Sequence, residues 1–314
     1  MKYKIKNHIV SDKLSQLYSW ISIATVVAVC LFIILIVFYL GYDVISLRFL
    51  TQEPNPSALY TDNGGILTPM IGTIILTIIG VIIALPLSLC AAIYLCFYAK
   101  QRIFQNLVNT AIDILSGVPT IVIALFALAI FTLPQFGFLS TTIEMEEGDG
   151  QAFGRSFLVA GITMAIMVLP FITKAIVQAI QSVPESYIES SYSLGASKWY
   201  TITNMVLFCA RPGIITGTTL GMGRIIGDTA IVWLALGGTL RMTGIQPWFL
   251  PQNWLSTLRN TGSTLTTYIY YASPAGEGDN YEVAFGASFV LIVIIVLLNA
   301  ITAIIGNAGM KGNS

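Results

Sequence analysis

The chain has 314 residues, 55% of them hydrophobic and only 10% charged, whereas a soluble domain carries about 25% charged residues. Fifteen Lys+Arg balance fifteen Asp+Glu, so no global basic field is offered to nucleic acid. His8 is the single histidine, and Cys30, Cys90, Cys96 and Cys209 show no C-x-x-C spacing, so His-based catalysis, a metal site and a disulfide framework all lack their parts.

A membrane helix needs about 20 apolar residues to cross about 30 Å of hydrocarbon. Reading between charges gives six candidates and an all-α, polytopic fold. The first, Trp20–Tyr42, follows Lys2, Lys4, Lys6 and Lys13; it is longer than a signal-peptide core and no A-x-A-like site follows, so it is read as a retained helix. The second covers Ile66–Tyr98 and is interrupted by Gly80 and Pro86. The third, Ile114–Leu133, carries Gly117-Val118-Pro119 near its inner end. Such residues kink membrane helices where neighbours or a cavity re-satisfy the freed backbone groups. Arg155 and Lys174 bracket the fourth.

A loop from Lys174 to Arg211 follows, with a helix-turn-helix rhythm. Pro184 and Glu185 suit a first turn after Ser182, Ile188, Tyr192 and Leu194 make an apolar edge, and Gly195 supplies the break. Trp199, Ile202, Met205 and Val206 recur at helical spacing in a second segment. A short amphipathic element of this kind fits a groove on a soluble partner, or lies on the membrane surface.

The fifth span, Pro212–Leu236, contains Arg224 and Asp228, four apart and therefore predicted to share a helix face and to pair. A charge at the bilayer centre costs at least about 2.5 kcal/mol on insertion scales, so the pair either locks helices together or serves a ligand. Gly217, Gly221, Gly223 and Gly227 are expected to leave that face bare, for another backbone or a small ligand. Guanidinium matches phosphate or carboxylate bidentately, which favours a small oxyanion. The loop from Gly237 to Tyr281 carries Trp248, Phe249, Trp254, Tyr268, Tyr270 and Tyr271, and is expected to fold back onto the bilayer interface. The sixth span lies between Glu282 and Lys311.

Orientation follows from the positive-inside bias. With the N-terminus inside, the inner segments hold all eight lysines plus Arg102 and Arg211, and the outer loops hold Arg48, Arg155, Arg241 and Arg259. Acids reverse the trend: Glu144, Glu146, Glu147 and Asp149 fall in one outer loop and Glu277, Asp279 and Glu282 in the last. Both termini are predicted to be cytoplasmic.

Several stretches carry a family resemblance. Glu189-Ser190-Ser191, then Leu194-Gly195-Ala196-Ser197, and later Leu207 and Pro212-Gly213-Ile214, resemble the E-A-A-x-x-x-G-A loop of ABC-importer permeases. Two serines stand for the alanines, and Phe208 for the proline after leucine. Gly223-Arg224-Ile225-Ile226-Gly227-Asp228-Thr229-Ala230 is similar to the G-R-x-x-G-E-T-A stretch of phosphate-specific ABC permeases, with Asp228 in place of Glu. Gly64-Gly65-Ile66 and Asp113-Ile114-Leu115-Ser116-Gly117-Val118-Pro119-Thr120 resemble further family stretches, and the details, Tyr268-Ile269-Tyr270 among them, lean toward the PstA kind over PstC.

The resemblance implies a type I ABC-importer permease fold in a bacterial inner membrane, with residues 66–310 as the permease domain and 1–65 preceding it. It implies a coupling loop at about 182–211, in which Glu189, Leu194, Gly195, Ala196 and Ser197 dock a cytoplasmic ATPase. Arg224, Asp228, Gly117 and Thr120 would line the phosphate pathway. The implied partners are a homologous PstC-like permease, two ATPase copies, an extracytoplasmic phosphate-binding protein and the lipid bilayer, with no nucleic acid and no cofactor. No Walker A loop occurs in the chain, so ATP hydrolysis is assigned to other subunits and the chain is not itself an enzyme. Importers of molybdate, sulfate or phosphonate, and an ATP-independent channel or carrier, are the other readings.

Overall fold

Helix α1 (Lys2–Gly41) leads through a short α2 (Leu47–Thr51) to α3 (Leu67–Ile93), which closes in a wide turn over Tyr94–Tyr98. Next come α4 (Arg102–Gly117), α5 (Thr120–Phe131) and the long α6 (Phe157–Gln181). After α7 (Glu185–Ser193), α8 (Lys198–Thr201) runs through a wide turn at Ile202–Val206 into α9 (Leu207–Gly227). The rest comprises a π-helical segment (Val232–Leu236), α10 (Trp254–Arg259), α11 (Leu265–Ala272) and α12 (Tyr281–Lys311). Among the described residues the only strands are Thr142–Ile143 and Gln151–Ala152, paired antiparallel. This computed structural model describes residues 2–55, 64–99, 101–143, 151–276 and 278–311, the side chains of 2–12, 151 and 305–311 apart. Lys100, Glu277 and the acids Glu144, Glu146, Glu147 and Asp149 lie outside the described residues.

Among the described residues, five helical stretches are long and apolar enough to cross a membrane: Lys13–Val44, Leu67–Tyr98, Phe157–Gln181, Lys198–Gly227 and Tyr281–Ile304. The first, second and last coincide with the expected spans, except that α3 runs as one helix through Gly80 and Pro86 instead of being interrupted there. The other three differ from expectation. The third is not one helix but the pair α4 and α5, bent by 101° at Val118-Pro119. Proline lacks an N–H and disfavours helical geometry in the residue before it, and Val118 is accordingly extended (φ −70°, ψ 129°). The fourth runs past Lys174 to Gln181, because no breaker occurs between Lys174 and Ser182-Val183-Pro184. The fifth starts at Lys198 and stops at Gly227, so the expected second loop segment is the beginning of a membrane-length helix.

Helix α6 is the centre of the bundle. Phe157, Met164, Val168, Ile172 and Ile176 are fully buried against α3 and α9. Where lipid replaces water, close backbone approach replaces the hydrophobic drive between helices. On α9, a Cβ at Gly213 would lie 2.4 Å from the Cβ of Ala179, and one at Gly217 2.7 Å from that of Ala175. The hydroxyls of Thr73, Thr77, Thr163 and Thr218 bond back to carbonyls one turn earlier, as Thr77 does to Thr73 at 2.7 Å, which keeps them satisfied inside apolar helices. Ser88 Oγ donates to the Leu169 carbonyl at 3.3 Å and ties α3 to α6 beside Pro170. A second core gathers Phe49, Ile66, Leu265, Tyr268 and Val283, where α2, α11 and α12 meet. Tyr268 is 1% exposed, so it is a core residue rather than one of the interfacial aromatics; Phe249 and Trp254 do remain exposed. Helix α1 leans on α12, with Phe38 4.9 Å from Phe289.

Candidate functional site

Arg224 lies in the last turn of α9, which ends at Gly227. Its guanidinium is stacked over the Phe171 ring of α6 at 3.8 Å, and Nε donates to the Met167 sulfur at 3.2 Å. A thioether is a weak acceptor, and among the described residues the remaining guanidinium N–H groups have no protein acceptor. The residue is exposed on the surface of the chain.

Asp228 is not the partner that the i, i+4 spacing predicts. The helix ends first: Asp228 is extended (φ −79°, ψ 133°), and its Oδ1 accepts from the Ile231 N–H at 2.8 Å, capping the next helical segment. Its carboxylate also takes a hydrogen bond from the Thr120 side chain, and its carbonyl accepts from Thr266 Oγ1 at 3.3 Å. Asp228 thus ties the start of α5, the end of α9 and the start of α11 together, while Arg224 stands beside it without forming an ion pair. Short polar side chains prefer such capping roles to helix interiors.

The glycines divide in two. Gly217 and Gly221 are pressed against Ala175 and Ile172, whereas Gly223, Gly227 and Gly117 have no heavy atom within 4 Å of an added Cβ. Successive helix positions turn by 100°, which sends residues 217 and 221 to one side and 223 and 227 to another. The expected single bare face is therefore two faces, and only the second is open.

One ion pair occurs among the described residues. Lys174 Nζ lies 2.6 Å from Asp113 Oδ1 and donates to Ser116 Oγ at 3.3 Å. Sequence reasoning missed Lys174 because it treated the lysine as a loop boundary. The signal available was the helical run continuing beyond it, with residues 171, 174, 178 and 181 on one stripe. The elbow Ser116–Thr120 touches both charged groups, Ser116 on Lys174 and Thr120 on Asp228.

At the other candidate region, α7 ends in a paired C-cap: Gly195 N–H donates to Tyr192 O at 2.9 Å and Ala196 N–H to Ser191 O at 3.2 Å. Gly195 takes φ +83°, a conformation that costs other L-residues about 1–2 kcal/mol. Ser197 then caps α8 by accepting from the Tyr200 N–H at 3.3 Å, and Ser191 and Thr201 hydroxyls meet at 2.9 Å across the turn. Ser182 does not cap α7, since its hydroxyl bonds back to Ala179 O. Glu189 is exposed, and Leu194 at the apex is 88% exposed. Ser191, Leu194, Ala196 and Tyr200 border a hollow of about 510 Å³ on this turn. All four cysteines are free, and no group of metal-ligating side chains forms among the described residues.

Residues 84–308 match the family described as binding-protein-dependent transport system inner membrane component. The phosphate transport system permease protein PstC of Xylella fastidiosa (strain Temecula1) is 32% identical over 204 residues, 62% of this chain and 62% of its own length, so the match spans less than two thirds of that relative. The phosphate transport system permease protein PstA 1 of Mycobacterium tuberculosis (strain CDC 1551) is 28% identical over 242 residues, 77% of this chain and 70% of the relative. Among solved structures, a chain of a bacterial alginate ABC transporter, crystallised with its alginate-pentasaccharide-bound periplasmic protein, superposes with a TM-score of 0.58 at 16% identity, covering 90% of this chain and 92% of that one. That likeness speaks for the fold alone.

Proposed function

Because the chain belongs to the binding-protein-dependent transport system inner membrane component family and is a multi-pass permease subunit of an ABC importer, we propose that its cargo is inorganic phosphate. The observation that carries this is Arg224, an exposed guanidinium held by an aromatic face and a sulfur rather than by a carboxylate. A cation kept in a membrane span without a paired anion is costly unless an anion arrives. Its planar fork offers two parallel N–H groups to a tetrahedral oxyanion. Relatives named as phosphate permeases, of both the PstC and the PstA kind, support the same cargo.

In this proposal the open side of α9, with Gly223, Gly227 and the elbow at Gly117 and Thr120, faces a homologous permease across a shared pathway. An extracytoplasmic binding protein delivers phosphate, and Arg224 offsets its charge. Asp228 offers an acceptor to the proton of hydrogen phosphate, which a fully ionised sulfate cannot supply. The α7–α8 turn docks a cytoplasmic ATPase: Leu194 enters a cleft on that subunit, Gly195 permits the reversal, and Glu189, Ala196 and Ser197 flank it. The permease domain of 66–310 carries both functions, with the docking element confined to about 182–197. ATPase closure then moves α6 and α9 through the rigid α7 connection and changes the side to which Arg224 is open.

The test is radiolabelled uptake by the assembled transporter in vesicles, with its binding protein outside and ATP inside. Phosphate should be accumulated and should not be displaced by sulfate or molybdate. Uptake of sulfate without phosphate would overturn the choice of cargo, and uptake without any ATPase subunit would overturn the coupling.

A further inference from the structure

Met167, Phe171, Lys174, Gln178 and Gln181 stand at successive intervals of four, three, four and three along α6, so they form one stripe on that helix. Arg224 rests on its first two members. Lys174 is the third, and the α7 turn begins just after the fifth. From Phe171 to Gln181 the stripe covers about 15 Å of helix axis.

Beneath Lys174 is a cavity of about 220 Å³ between α4 and α6, lined by Asn109, Ile112, Thr173, Lys174 and Gln178, with Leu95 of the wide turn after α3 at its back. Thr173 is 0% exposed, and its hydroxyl, buried in this wall, has no hydrogen-bond partner. An unsatisfied buried hydroxyl costs about 1–3 kcal/mol, so a ligand or water is expected to meet it. Asn109 and Gln178 supply amide donors, and Lys174 a positive charge. At about 30 Å³ per water, the space suits a tetrahedral oxyanion with a few waters.

We propose that Lys174 and this cavity form a second oxyanion site, through which the ion leaves Arg224 toward the α7 end of the bundle. The inference rests on the oxyanion-importer reading above and adds to it an exit site. Asp113 gives that site its character. Its carboxylate, 2.6 Å from Nζ, occupies the lysine until the anion comes, then competes with it. A pathway site must bind well enough to be entered and weakly enough to be left. A tethered carboxylate on the same ammonium keeps affinity low where release is needed, whereas Arg224, without such a rival, binds more tightly. The elbow Ser116–Thr120 joins the two sites, since Ser116 holds Lys174 and Thr120 holds Asp228 beside Arg224.

The experiment is uptake of radiolabelled phosphate by vesicles containing the complete transporter, with KM and maximal rate measured separately. Lys174→Gln should lower the maximal rate at least 10-fold and leave KM for external phosphate within 2-fold, because loading occurs at Arg224. Lys174→Arg should retain uptake. The swapped pair Asp113→Lys with Lys174→Asp keeps an ion pair between α4 and α6 but takes the cation off the cavity wall, and should stay as slow as Lys174→Gln. Recovery in the swap, or wild-type rates in Lys174→Gln, would overturn the proposal in favour of a purely structural pair. Should Lys174→Gln fail to assemble, Thr173→Val decides: it leaves the pair intact and removes only the hydroxyl, a several-fold slower rate is expected, and an unchanged rate overturns the proposal. If wild-type vesicles accumulate sulfate and not phosphate, the cargo assignment falls, while the same variants assayed with sulfate still judge the second site.

Discussion

The two sides of α9 use the same residue type for opposite ends. On one, Gly213, Gly217 and Gly221 let the helix backbone settle against Ala179, Ala175 and Ile172 of α6. On the other, Gly223 and Gly227 meet nothing, whereas Arg224, three residues beyond Gly221, continues the packed stripe and rests on Met167 and Phe171 of α6 with its surface exposed. A glycine in a membrane helix is therefore not evidence for packing or for a pathway until its azimuth is known. The packed side joins α9 to α6, and the open side is free of contacts within this chain. Substitutions separate these roles.

The largest effect is expected on the packed side. Gly217→Leu drives a branched side chain into Ala175 and Ile172, where even one extra methylene typically costs about 1–3 kcal/mol. Loss of assembled transporter in detergent chromatography is the expected outcome, and normal assembly would break the contrast between the two sides. Next comes Arg224→Ala, which removes a contact to a charged group worth about 1.5–3 kcal/mol and should lower phosphate uptake by about 10- to 100-fold or more with assembly intact. Loss of assembly instead would make Arg224 a structural residue.

At the α7 turn, Gly195→Val combines the positive-φ strain of about 1–2 kcal/mol with a β-branched chain at the docking apex. Co-purification of the ATPase should fall several-fold while the permease remains folded, and unchanged co-purification would refute the docking role. The smallest effect is expected at Gly223→Ala. Its Cβ meets no neighbour within 4 Å in this chain, so permease stability should be kept or raised by up to about 1 kcal/mol and uptake should stay within about 2-fold. A large fall in uptake there would sharpen the comparison, because it would place a partner backbone directly against Gly223.

Much of this was legible in the chain. Uncharged runs of sufficient length announced the membrane crossings, because lipid excludes charge wherever it can. Gly117-Val118-Pro119 announced the break between α4 and α5, and Gly195 the reversal after α7, since proline and glycine act through local backbone geometry. The angle of 101° between α4 and α5 was not legible, because it depends on where α6 leaves room for them. Nor was the separation of Arg224 from Asp228. The i, i+4 rule presumes an unbroken helix, and Asp228 gains more by capping the next segment at Ile231 and meeting Thr120 than by closing an ion pair.

Residue order alone, then, determined a helical, multi-pass membrane chain of five or six crossings, the breaks at Val118-Pro119 and Gly195, and the presence of one costly arginine. These follow from short-range rules of hydropathy, backbone freedom and charge. Only the tertiary structure decided which glycines are buried, that Lys174 is a helix residue paired with Asp113, and that Arg224 forms no ion pair among the described residues. Those outcomes depend on which helices come to lie beside one another, and azimuth and neighbour identity are properties of the assembled bundle that no local pattern contains.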